Sequence, residues 1–256
     1  MKRLTSFTTL IKLIFPFLTI FILPLLTQAQ GDTLFVYGAG GPQAAMEECA
    51  EIFSKTILLP IKIIAGPEIN WIDDARKNGD IIFGGAEYML TQFAMQHPGL
   101  IDSTTRKTLY KRAAGILVRK GNPKNIRSLK DLTKRGVKLL DINGAGQLGL
   151  WEDLAGKQGL IGGIENNIVR SFSNTAAGVD AWKTDMTYDA IIIFSSWYFR
   201  LKDVADLIKI IPSQTVYRGT PVAITTITNK KKEAELFIQF ILSKPGHEVF
   251  KKWGWE

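Results

Sequence analysis

The feature that most constrains this chain is a regular alternation, from about residue 33 onward, of short apolar strand-like runs with amphipathic helical stretches. Runs of this kind are buried as parallel strands between layers of helices, which gives an α/β architecture. Thr33 to Tyr37, Ile61 to Ala65 and Asp80 to Phe83 read as strands, with helices from Pro42 to about Thr56 and from Glu87 to Met95. A long extended run from Leu109 to Val118 ends at the turn Gly121-Asn122-Pro123. The same grammar then repeats. Ser128 and Asp131 have capping-box spacing before a short helix. Lys138 to Ile142, Ile168 to Phe172 and Asp189 to Phe194 read as strands, with helices at Gln147 to Ala155 and Ala176 to Lys183. Val222 to Ile227 is extended, and two helices come after it, at about Lys230 to Leu242 and ending in Trp253-Gly254-Trp255. Two βαβαβ lobes joined by crossovers near Arg112 and Tyr217 account for the pattern. Residues 30–112 with 220–256 form the first lobe, and 113–219 the second. Clefts between domains, at the carboxyl ends of such strands, are where ligands bind.

Ahead of the first strand, Met1-Lys2-Arg3 and an apolar run from Leu13 to Leu26 lead to Thr27-Gln28-Ala29. That run of about 14 residues is short for a bilayer core of roughly 30 Å but suits an export signal. Cleavage is expected near Ala29, with the remainder acting in the periplasm, and no Cys stands there to carry a lipid anchor. The chain's charge of +8 falls to +5 once Lys2, Arg3 and Lys12 leave with the signal. A modest positive balance suits an anionic ligand without specifying one. The basic run Lys230-Lys231-Lys232 reads as a solvated helix end, so no nucleic-acid partner is expected. Cys49 is the single cysteine, which excludes an intrachain disulfide, and its helical spacing with Ala45, Met46, Ile52 and Phe53 marks it as core. His97 and His247 lack neighbours at metal-ligand spacing, so neither metal nor cofactor is expected.

Three loops have ligand-holding chemistry. Gly38-Ala39-Gly40-Gly41-Pro42 joins a strand to a helix and offers free amides to an anion, although a tight turn alone would use the same glycines. Asn143 to Gly149 contains the spacing G-x-G-x-x-G, a weak dinucleotide fingerprint that Glu152 and Asp153 in the next turns oppose. Ser173-Asn174-Thr175 ends a strand and either caps the next helix or donates to a ligand. Arg112 and Arg218 lie on the two crossovers, where a guanidinium grips a carboxylate or phosphate or else forms an ordinary salt bridge. Trp71 and Trp197 either wall the cleft or belong to the core.

In this order, Tyr37 to Pro42, Ala65-Gly66-Pro67 with Trp71, Asp80 to Gly84, Leu109-Tyr110 with Arg112, Gly121-Asn122-Pro123, Gly144-Ala145-Gly146 with Trp151-Glu152-Asp153, Asn166 to Val169, Tyr217-Arg218 and Phe250 to Trp255 resemble the accessory colonization factor branch of the type 2 periplasmic solute-binding proteins, relatives of sulfate and molybdate binders. The resemblance implies a two-lobed receptor with a hinged cleft that captures a small anion, sulfate-like or a small phosphorylated or carboxylic acid, for the membrane subunits of an ABC importer. By position it implies that Gly41, Pro42, Gly85, Ala86, Tyr110, Arg112, Gly146, Gln147, Asn174, Thr175 and Tyr217 face the ligand. In the mechanism expected from these residues, amides at Gly41 and at a helix start at Gln147 hold the anion. Arg112 neutralises it, and Tyr110, Asn174 and Thr175 donate hydrogen bonds. Loop Gly144 to Gly149 lacks the Ser and Thr of relatives that take organic acids, and Phe194-Ser195-Ser196-Trp197 lacks a first tryptophan. The chain carries no G-x-S-x-G, no H-E-x-x-H and no Cys-His nucleophile set, so no enzyme is expected. An adhesin using the outer faces of the same fold is the alternative function, and the sequence leaves open the anion's identity and whether a homodimer forms.

Overall fold

The computed structural model describes residues 33–256, so the expected export signal lies outside the described residues. In chain order the elements are β1 (Leu34–Gly38), α1 (Gln43–Ile57), β2 (Ile61–Ala65), α2 (Ile72–Asn78), β3 (Ile81–Phe83), α3 (Glu87–Gln96), β4 (Lys107–Arg119), β5 (Leu139–Ile142), α4 (Leu150–Gly156), α5 (Ile161–Glu165), β6 (Ile168–Phe172), α6 (Thr175–Thr184), β7 (Ala190–Phe194), α7 (Tyr198–Leu201), β8 (Ala205–Lys209), β9 (Tyr217–Ile224), α8 (Lys231–Leu242) and α9 (Lys244–Lys252). Among the described residues no helix is long and apolar enough to cross a membrane.

The strands run β2-β1-β3-β9-β4-β7-β5-β6, with β8 added beside β4. β1 is parallel to β2 and β3, and β5 is parallel to β6 and β7. The crossover strands β4 and β9 run antiparallel to each other and to the parallel trios, so the sheet is mixed rather than wholly parallel. Each lobe therefore repeats one plan, three parallel strands closed by one antiparallel crossover.

Strand alternation sorts the first lobe's side chains into two cores. Leu34, Val36, Ile81, Phe83, Val222 and Ile224 point to the face covered by α1, α8 and α9, where they meet Met46, Phe53, Phe237 and Phe250. Tyr37, Ile82 and Ala223 point the other way, onto Trp71, Ile72, Leu90 and Phe93 of α2, α3 and the turn before α2. Cys49 is buried in the first of these cores, and that burial pushes its thiol up to about 12, so it packs as a small apolar group. The second lobe has its own core, built on β4, β5 and β7 around Trp182 and Phe194.

Asp80 and Asp189 stand at matching places in the two lobes and do the same job. Asp80 Oδ2 accepts the Phe35 amide in β1 at 2.8 Å, and Asp189 Oδ2 accepts the Lys138 amide beside β5 at 2.9 Å. In each lobe a carboxylate just before the third strand ties down the start of the first. The capping-box residues act differently from the motif. Asp131 Oδ2 accepts the Arg127 amide and the Ser128 hydroxyl, and the segment they brace, Leu129–Thr133, is a 3-10 turn.

Arg119, at the end of β4, is buried and fully engaged. Its Nε, Nη1 and Nη2 donate to the carbonyls of Tyr188, Trp182 and Asp185 at 2.7, 2.7 and 2.5 Å, and its guanidinium lies 3.8 Å over the Trp182 ring. Arg119→Met keeps the apolar stem and strips these carbonyls of their donors, so urea unfolding is expected to register a loss of about 2–3 kcal/mol.

Candidate functional site

All six parallel strands deliver their carboxyl-terminal loops to one cleft of about 600 Å³. Ala39 to Gly41 arrive after β1, Gly66 to Glu68 and Trp71 after β2, and Gly84 and Gly85 after β3. From the second lobe come Ala145 to Gln147 after β5, Asn174 and Thr175 after β6, and Trp197 and Arg200 after β7. Three helices of ten residues or more, α1, α3 and α6, begin at these loops, so their free N-terminal amides give the cleft a positive bias.

Arg112 of β4 stands at the centre. It is 1% exposed, with its guanidinium carbon 4.5 Å from the Phe194 ring centre and 5.3 Å from that of Trp255. Nη2 donates to the Gly85 carbonyl at 2.5 Å, while Nε and Nη1 have no partner among the described residues. Burial pulls the guanidinium down to about 9, Arg218 pushes the same way, and Tyr88 and Glu87 oppose it. Glycines make room for the head group. A Cβ at Gly41 would lie 2.8 Å from Nη1, and one at Gly146 would lie 3.1 Å from Nη2. A buried cation with two free donors in a cleft has the chemistry that an anion's oxygens satisfy.

The glycine-rich loop after β5 has reasons of its own for its fingerprint spacing. A Cβ on Gly144 would fall 1.9 Å from the Ser173 carbonyl oxygen, Gly146 abuts Arg112, and Gly149 takes φ 68° to start α4. The spacing thus arises from packing and gives no support to a dinucleotide. The expected helix from Gln147 is instead a 3-10 turn over Ala145–Gln147, and α4 begins only at Leu150. The Gln147 amide donates to the Gly144 carbonyl at 3.1 Å, so the expectation that it holds an anion is corrected. Tyr88 from the first lobe donates its hydroxyl to the Ala145 carbonyl and holds this loop across the cleft.

Of the residues expected to face a ligand, Gly41, Gly85, Arg112, Gly146, Gln147, Asn174 and Thr175 line the cleft. Four do not. Pro42 is the N-cap of α1, and its carbonyl accepts the Met46 amide. Ala86 is buried as the N-cap of α3. Tyr110 donates its hydroxyl to the Ile241 carbonyl at 2.9 Å and stacks on His247 with ring centres 4.5 Å apart, so it packs against the terminal helices. Tyr217 pairs across the strands with Ala113 rather than Arg112, and its ring lies 4.9 Å from the Lys111 ammonium. Within the cleft set, Asn174 spends its carboxamide oxygen on the Ala177 amide at 2.9 Å, which is helix capping.

Arg218 is a salt bridge, not a ligand grip. Its Nη2 reaches Asp153 at 3.0 Å and its Nη1 donates to the Leu148 carbonyl at 2.9 Å. Trp71 and Trp197 are both core and wall, since each is more than nine-tenths buried and each lines the cleft. Sequence reading missed Glu68, Met89, Lys183 and Arg200 in the lining. Arg200 was findable from its i+3 spacing to Trp197, over whose ring it lies at 4.8 Å, and it donates across the cleft to the Gly40 carbonyl at 3.1 Å.

The sequence profile of the family described as bacterial extracellular solute-binding protein matches residues 34–256. Among solved structures, Peb3 from Campylobacter jejuni is 31% identical, with 87% of this chain and 99% of that one covered at a TM-score of 0.79. A structure of PEB3 with L-phospholactate bound has the same identity and coverage at a TM-score of 0.81. The periplasmic molybdate-binding protein of Azotobacter vinelandii, 14% identical over 87% of this chain and 98% of that one at a TM-score of 0.68, shares the two-lobed fold. No curated protein sequence matches the chain.

Proposed function

The chain belongs to the bacterial extracellular solute-binding proteins, and on that basis we propose that it captures a small organic anion in the periplasm and delivers it to the membrane subunits of an ABC importer. The observation that carries the reading is Arg112, a buried guanidinium with two unpartnered donors opening on a cleft between glycine-rich loops. Residues 30–112 with 220–256 act as one lobe and 113–219 as the other, closing on the ligand about β4 and β9. Gly41, Gly85, Gly146 and Thr175 surround the anionic group, which sits on Arg112.

The cleft volume supports an organic ligand over a bare tetrahedral oxyanion. A volume of about 600 Å³ falls within the roughly 300–1,000 Å³ of small-molecule sites. Trp71, Met89, Leu90, Phe93 and Trp197 offer apolar wall for a carbon skeleton. The phospholactate complex of a 31% identical relative supports the same class, a small phosphorylated or carboxylic acid. The motif order supports assignment to the accessory colonization factor branch, and the basic, apolar N-terminal segment supports export.

Thermal unfolding of the purified protein across a panel of sulfate, molybdate, phosphate, lactate, malate and phospholactate tests this reading. A ligand at a hundred times its dissociation constant stabilises by about 2.7 kcal/mol, which at roughly 2–4 °C per kcal/mol for a chain of this size raises the midpoint by several degrees. An organic acid is expected to give that rise. A panel without any shift rejects anion capture and leaves the adhesin reading, in which the outer faces carry the function.

A further inference from the structure

Beside Arg112 the cleft holds a polar group of the opposite kind. Gln147 is 2% exposed and lines the cleft, and its Oε1 is buried without a hydrogen-bond partner among the described residues. Its chain neighbour Gly146 packs against Arg112 Nη2, and Arg112 and Gln147 line the same cleft. The remaining unpartnered buried polar atoms that line the cleft, Arg112 Nε and Nη1 and Trp197 Nε1, are all donors. The set therefore asks for acceptor oxygens at several points and for one proton at another.

An anion without a proton leaves that requirement unmet. Sulfate, molybdate and a simple carboxylate present only lone pairs, so binding them leaves the already buried Gln147 oxygen without a partner. A ligand that carries an O–H or N–H next to its anionic oxygens satisfies both halves. We propose that Gln147 is a specificity-determining residue that selects oxyanions bearing a hydrogen-bond donor beside the anionic group, of which a 2-hydroxy acid is the simplest organic case. This inference rests on the anion-capture reading and narrows it. Sites built to bond a ligand's polar hydrogen reject the analogue that lacks it more strongly than apolar pockets reject a missing methyl group.

Matched ligands separate the proton from size and charge. Lactate, 2-fluoropropanoate and propanoate differ at one substituent, with only lactate carrying a donor there, and hydrogen phosphate differs from sulfate chiefly by its proton. In calorimetric titrations the donor-bearing member of each series is expected to bind roughly ten-fold tighter or better. Gln147→Leu is expected to erase the preference, with the donor-free members binding as well as or better than before. Gln147→Met, of nearly the same volume, repeats the test should the leucine variant fold poorly, and thermal unfolding of each variant checks the fold. Donor-free members that bind the original protein as tightly as their partners overturn the role of Gln147 and leave anion capture standing. A preference that survives both substitutions does the same. Absence of binding by every member, with sulfate, molybdate, malate and phospholactate included, overturns both.

Discussion

Arg112→Met abolishes anion capture, with affinity expected to fall by roughly a thousand-fold or more, while the empty protein remains folded and at least as stable as before. The binding loss comes from geometry. Among the described residues lining the cleft, Nε and Nη1 are the buried unpartnered cationic donors, whereas Lys183 and Arg200 are exposed there and stay hydrated. Arg218 is held by Asp153 and Leu148, and Arg200 donates to Gly40. The stability result is the less intuitive half. Removing a buried, paired charge destabilises, but Arg112 is buried with a carbonyl as its partner and no carboxylate, so its charge is a burden on the empty fold. Methionine fills most of the same space without that burden.

The pH dependence has a definite sign. The folded-state value of Arg112 is lowered, to about 9, so the unfolded chain holds this proton more tightly than the folded one. The penalty is fully present below about pH 9 and lifts as the pH rises above it. The advantage of Arg112→Met over the original protein in urea unfolding is therefore expected at neutral pH and shrinks toward about pH 10. Arg119→Met supplies the contrast, because the same replacement at a guanidinium engaged on every nitrogen destabilises. One fold thus holds an arginine bonded on every nitrogen and an arginine with two unpartnered nitrogens seven positions apart on β4.

The second large effect is expected at Gly144. A methyl group there would fall 1.9 Å from the Ser173 carbonyl oxygen and 2.7 Å from its carbon, and these are backbone atoms that cannot rotate aside. Gly144→Ala must push the loop after β5 away from the loop after β6. That displacement carries Gly146 off Arg112 and disturbs the start of α6 at Thr175. A loss of about 3 kcal/mol or more in unfolding free energy is expected, together with weakened binding in whatever fraction stays folded. Circular dichroism melting of Gly144→Ala beside Gly156→Ala checks it, since a Cβ at Gly156 meets only the end of the Ile161 side chain at 4.0 Å. Equal stability of the two variants contradicts the close approach.

Much of this fold is legible in the sequence because the inner parallel strands β1, β3, β5 and β7 are buried and written as short, largely apolar runs, and the half-exposed edge strands β2 and β6 still open on apolar residues. Ile61 to Ala65 coincides with β2, and the other parallel strands agree within a residue. β8 escapes because Ala-Asp-Leu-Ile-Lys mixes charge with half-buried apolar groups beside β4, without a run or a clean alternation. The helix after β5 starts late because Gly149, at φ 68°, interrupts the pattern, and a positive φ leaves no periodic signal.

The site was legible in part for equally local reasons. Arg112 stands out as a cation on a crossover. Tyr110 sits two residues before it and should share its face by strand alternation, but the register shifts between Thr108 and Lys111, and the tyrosine turns toward the terminal helices. Tyr217 fails the other way. It lies opposite Ala113, one position away from the Arg112 and Arg218 pair, and alternation sends it to the other face. Gln147 reads in sequence as a backbone donor at a helix start, whereas its amide is already bonded and its side chain is the group left open.

Anion capture on Arg112 is decided by a crystal structure of the protein loaded with the organic acid that most raises its melting point. An anionic oxygen of that ligand is expected within about 3.2 Å of Arg112 Nη1 or Nε, in the cleft between the two lobes. A bound anion elsewhere, with those two nitrogens still unpartnered, contradicts it.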